Sequence, residues 1–65
     1  MIKLKDLLNI MDENANIIIK SDLKTVFTGD AEMAAYSLWA NDTVINFVLE
    51  NDTAVVWVKK PIMKI

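Results

Sequence analysis

A near-repeat towards the C-terminal end constrains this chain most: Asn41-Asp42-Thr43 opens one apolar run and Asn51-Asp52-Thr53 opens the next. Asn and Asp tolerate the positive φ that a two-residue β-turn needs, so Asn51-Asp52 reads as the tip of a hairpin. Counting outward from that tip, Glu50 faces Thr53, Val48 faces Val55, Asn46 faces Trp57 and Val44 faces Lys59. Side chains alternate between the two faces of a strand. One face therefore carries Ile45, Phe47, Leu49, Ala54, Val56 and Val58, is wholly apolar, and is expected to be core. The other carries Val44, Asn46, Val48, Glu50, Thr53, Val55, Trp57 and Lys59, a mixture. A slip of one residue would set Asn46 and Glu50 opposite core residues, so chemistry alone specifies the register.

Upstream, Leu4, Leu7, Leu8 and Met11 recur at the i, i+3, i+4, i+7 spacing of an amphipathic helix, predicted over residues 3–12 and ended by Asp12-Glu13-Asn14. The β-branched run Ile17-Ile18-Ile19 reads as a strand within Ala15–Lys20. Ser21–Lys24 is the turn, centred on Asp22-Leu23, and Thr25–Thr28 is the returning strand. Gly29, the sole glycine, stands where that strand gives way to a second helix, with Asp30 as its N-cap. Ala31, Ala34, Ala35 and Leu38 form the narrow stripe by which this helix would lie close on the sheet, ending at Asn41-Asp42. Pro61 cannot donate to a ladder and is expected to end the last strand, followed by the apolar tail Ile62, Met63 and Ile65.

The order is αββαββ. Short connections favour antiparallel hairpins, so the expected α+β fold is a four-stranded antiparallel sheet with both helices packed on one face. A helix on each face is the alternative. Residues 1–65 are expected to form a single domain, with residues 60–65 as a loose tail. Pairing Ile18 with Phe27 and Lys20 with Thr25 brings those side chains to the mixed face, and Ile17, Ile19, Val26 and Thr28 to the core. The helix-free face then displays Ile18, Phe27, Val44, Val48, Val55 and Trp57, fringed by Lys20, Lys59, Asn46 and Glu50. An exposed apolar patch of that kind marks an interaction site, and a Trp with a lysine rim suits a protein interface.

Composition sharpens this reading. Hydrophobic residues make up 54% of 65 positions, more than so small a body readily hides, which points to association. His, Arg, Gln and Cys are absent, and seven lysines against nine carboxylates leave a net charge of −2. Disulfides and thiolate metal sites are thereby excluded. A general base would have to be a carboxylate or lysine, and Ser21 and Ser37 have no partner implied by spacing, so no enzyme is expected. Acidic groups such as Asp12-Glu13-Asn14 and Glu50-Asn51-Asp52 lack the alternating ligands and glycine of a calcium loop, so neither metal nor cofactor is expected. Phe27 and Trp57 beside Lys20 and Lys59 could stack bases, but the acidic balance argues against nucleic acid. No apolar run approaches the ~20 residues of a membrane span. Met1–Asp6 lacks a signal-peptide apolar stretch, so a cytoplasmic location is expected.

Leu4-Lys5-Asp6-Leu7-Leu8, Ile17-Ile18-Ile19, Thr28-Gly29-Asp30, an alanine-rich helix with Tyr36, and the closing Val55-Val56-Trp57-Val58-Lys59 follow one another in an order that resembles small uncharacterised proteins encoded by phages and prophages of low-GC Gram-positive bacteria. The resemblance implies an accessory protein acting in the host cytoplasm and supplies no activity. The leading expectation is a non-enzymatic protein-binding module that modulates or inhibits a host protein or complex. Its acidic turns (Asp12, Glu13, Asp42, Glu50, Asp52) are candidates to occupy a basic site on that target. The alternatives are a structural homodimer formed through the sheet face and a weak single-strand nucleic-acid binder.

Overall fold

The computed structural model describes residues 2–60. Six elements follow one another: α1 (Leu4–Leu8), β1 (Asn16–Ser21), β2 (Lys24–Asp30), α2 (Ala31–Ala35), β3 (Thr43–Glu50) and β4 (Thr53–Lys59). Both hairpin tips fall where the sequence puts them. Asp22 and Leu23 have φ of 51° and 66°, and Asn51 and Asp52 have φ of 48° and 63°, the paired positive values of a type I′ turn. Asp30 caps α2 as expected, its carboxylate accepting from the Met33 N–H at 2.8 Å.

The sheet runs β2-β1-β4-β3. Each hairpin is antiparallel, but β1 lies parallel to β4, so the sheet is mixed and the expectation of an all-antiparallel sheet is corrected. The reason is the connection between the hairpins. Residues 31–42 supply the dozen or so residues that a crossover needs, so β3 is carried past the inner strands to the far edge. The inner positions go to the strands with unbroken apolar runs, Ile17-Ile18-Ile19 and Ala54–Val58, which are flanked by a neighbour on either edge.

The core lies on one face only. Leu4, Leu7 and Leu8 of α1 and Ala31 and Ala34 of α2 pack on Ile17, Ile19, Ala54, Val56 and Val58. Burying one such Val, Leu or Ile side chain contributes about 1.5–3 kcal/mol. Both helices are shorter than expected. α1 spans Leu4–Leu8 rather than 3–12, although Met11 still reaches the core through the turns that follow. α2 stops at Ala35, so Leu38 leaves the expected stripe and is exposed. Tertiary hydrogen bonds stabilise these single-turn elements in place of length. Leu4 and Lys5 donate to the carbonyls of Asp42 and Ala40, and Ala31 and Glu32 to those of Ala15 and Glu13, all within 3.1 Å.

A helix of five residues is about 7–8 Å long, whereas strands of seven or eight residues run about 25 Å. The cover is therefore partial. Ile45, Phe47 and Leu49, expected in the core, lie on the edge strand and are exposed. β2 runs two residues beyond the expected Thr28, so Gly29 lies within the strand just before α2. Its value is steric, because a Cβ there would lie 2.9 Å from Cζ of Phe27. Among the described residues no helix is long and apolar enough to cross a membrane. Pro61 and the expected tail lie outside the described residues, Lys60 excepted.

Candidate functional site

The helix-free face of the sheet is built from residues that pair in register across all four strands. One row reads Thr28, Ile18, Val55, Val48. The next reads Thr25, Lys20, Trp57, Asn46, and on the other side stand Asp30, Asn16, Thr53 and Glu50. Adjacent strands are about 4.8 Å apart, so Ile18, Val55 and Val48 form an apolar bar about 10 Å long with Trp57 beside it. Ile18, Val55 and Trp57 are half-buried, and Val48 is 40% exposed. Lys20 places its Nζ 5.9 Å from the centroid of the Trp57 ring, a cation–π contact that restrains the indole over the parallel β1–β4 pair. No element of the described chain covers this face, since the core residues of both helices meet the other one.

Four of the six expected face residues are thus brought together: Ile18, Val48, Val55 and Trp57. Two are not. Register breaks between Ile19 and Lys20 against β2 and between Val44 and Asn46 against β4 each insert one extra residue. Beyond such a bulge every side chain changes face. Phe27 accordingly pairs with Ile19 and packs against the core, its ring 6.3 Å from that of Trp39 and tilted by 54°. Val44 pairs with Val58 rather than with Lys59 and also joins the core. Thr28, expected inside, moves to the helix-free face opposite Ile18 and is exposed. Placing Phe27 inside and Thr28 outside suits both residues better than the reverse, and the single bulge achieves it. Trp39, the inner partner of Phe27, carried no pattern of its own because it lies in the irregular segment after α2.

The acidic turns separate as well. Asp42 is 3% exposed and pairs with Lys60, Nζ to Oδ1 at 3.3 Å, so it belongs to the interior and not to an acidic surface. Asp12, Glu50 and Asp52 border an open cleft of about 510 Å³ floored by Met11, Leu49 and Ala54. Asp12 is engaged locally, its Oδ1 accepting from the Asn14 N–H at 2.8 Å. Among the described residues no three acidic, His or Cys side chains converge as they would around a metal ion. Compared with protein-family models, with curated proteins and with solved structures, the chain matches none of them.

Proposed function

We propose that this chain is a non-enzymatic binding module whose helix-free sheet face docks on a protein partner. One observation carries the reading: the bar Ile18–Val55–Val48 with Trp57 alongside is apolar, in register, and left uncovered by α1 and α2, the helices of the described residues. A flat, rigid sheet face costs little ordering on association, and an indole held by Lys20 is preorganised as an anchor. The polar rows on either side supply the rim that such an interface uses to exclude water. The resemblance to phage and prophage proteins extends the proposal to a host protein or complex as the target. Base stacking is the weaker use of the face, because Phe27 is turned inward and only Trp57 remains for it.

Affinity capture from the producing cell's extract tests this, run with the wild-type chain, Val55→Lys, Trp57→Ala and, as an exposed control on the helix side, Tyr36→Ala. A partner retained by the wild type and Tyr36→Ala, and lost at least tenfold with both sheet variants while they stay folded, supports the face. Identical capture by all four chains overturns it.

A further inference from the structure

We infer that the β3 edge is a second, separate interaction surface, and that its occupant is a second copy of this chain, paired antiparallel about a twofold axis through Val48. The inference does not depend on the partner proposed for the helix-free face. It starts from where the backbone groups of β3 point. Residues flanking a two-residue turn form a hydrogen-bonded pair, and such pairs alternate along the ladder. Glu50, Val48 and Asn46 therefore turn their N–H and C=O groups towards β4, while Leu49 and Phe47 turn theirs to the open side. At the start of the strand that open side is already used, by the Ile2–Lys3 segment: the Val44 N–H donates to the Ile2 carbonyl at 3.0 Å and Lys3 bridges to Thr43. Among the described residues nothing pairs with Phe47 or Leu49 on that side.

The two edges of the sheet are not alike. β2 carries the usual guards against pairing: Lys24, a bulge at Val26, and Asp30 leading directly into α2. The stretch Asn46–Glu50 has no lysine, proline or bulge, and its apolar side chains are open, Phe47 at 47% and Leu49 at 70%. That combination is a template for strand addition.

Self-pairing has one register that uses these groups fully. With Val48 opposite Val48 of the second copy, Phe47 of each chain faces Leu49 of the other in a hydrogen-bonded pair, and each pair exchanges two backbone bonds. The Phe47 and Leu49 side chains meet across the join on the helix side. On the other face Asn46 meets Glu50, an amide donor against a carboxylate acceptor. The two Glu50 charges stand four residues apart along the join, about 13 Å, beyond a Debye length at physiological salt. Centring on Phe47 instead would pair only one residue of each copy through hydrogen bonds and would set Glu50 of the second copy opposite Val44, in the position Ile2 occupies. In the favoured register the two copies form one eight-stranded sheet, and the bar Ile18–Val55–Val48 continues into its twin.

Cysteine cross-linking reads the register directly, because the chain has no cysteine of its own. Facing residues of a non-hydrogen-bonded pair have Cα atoms about 4.5 Å apart, within disulfide range. Under copper–phenanthroline oxidation, Val48→Cys is expected to link at least tenfold faster than Asn46→Cys or Glu50→Cys alone, and those two, mixed, to link to each other. Leu49→Pro removes an outward N–H at an exposed position. It is expected to leave circular dichroism unchanged while shifting the mass in light scattering from twice 7.4 kDa to 7.4 kDa at the same concentration. Equal linking at all three positions, or a wild-type mass of 7.4 kDa throughout a dilution series, overturns the inference. Faster linking of Val55→Cys than of Val48→Cys also overturns it, in favour of a face-to-face dimer, because in the edge pairing the Val55 residues lie three strand spacings apart, about 14 Å.

Discussion

Leu23 sits at φ 66° with its side chain 94% exposed, so a branched apolar residue holds a left-handed conformation for no packing return. Leu23→Gly is expected to stabilise the chain by about 0.5–1 kcal/mol, the relief of αL strain exceeding the entropy glycine adds to the unfolded state. Urea unfolding followed by tryptophan fluorescence measures it. Gly29 is the opposite case, a glycine whose missing Cβ leaves room for Phe27. Gly29→Ala should cost about 1–3 kcal/mol and weaken the near-ultraviolet signal of the Phe27–Trp39 pair as the ring is displaced. Asp42 presents a charge question. Its Oδ1 meets Lys60, while its buried Oδ2 has no partner among the described residues. Lys60→Met would leave a buried carboxylate uncompensated and is expected to cost about 1–3 kcal/mol. Adding Asp42→Asn should recover part of that loss, and a double mutant as unstable as the sum of its singles would show that the two side chains do not couple.

At the scale of elements, two helices of a single turn each survive because their ends are tied to loops. Asp30→Ala removes the cap on α2 and is expected to cost about 1 kcal/mol, with Asp30→Asn nearly silent, both read from urea midpoints. The hairpins were the most legible elements. Their tips and the pairings from Glu50–Thr53 back to Asn46–Trp57 follow from Asn-Asp chemistry and alternation alone. What a pattern of period two does not reveal is a single inserted residue. Each bulge lies part-way along a strand, and each moved one side chain, Phe27 or Val44, from the expected face to the core. Helix length is hidden from the pattern for a related reason. Periodicity from Leu4 to Met11 persists through turns that keep apolar residues inward without continuing the helix.

At the scale of the molecule, the core is shared: β1 contributes Ile17 and Ile19, β4 contributes Val56 and Val58, and Leu4, Leu7 and Leu8 close over both. Neither hairpin buries a core by itself, so a peptide covering residues 41–60 is expected to be largely unfolded in water by circular dichroism. The whole chain should unfold in one transition. Trp39 lies on the helix side and Trp57 on the other face, so variants keeping only one of them report from opposite sides of the sheet. Their denaturant midpoints should coincide, and separated transitions would mean that the hairpins are independent units.

Local chemistry in the sequence determined the two turns, the α+β character, the cap at Asp30 and four of the six residues on the helix-free face. These depend on φ preferences, alternation and hydrogen bonds within a few residues. The tertiary structure alone decided which strands lie side by side. A connection of about a dozen residues permits either a neighbouring or a crossing placement, and the structure takes the crossing one, with the two unbroken apolar strands at the centre of the sheet. That choice sent β3 to an edge beyond the reach of the short helices. It thereby exposed Phe47 and Leu49, which every local criterion assigned to the core.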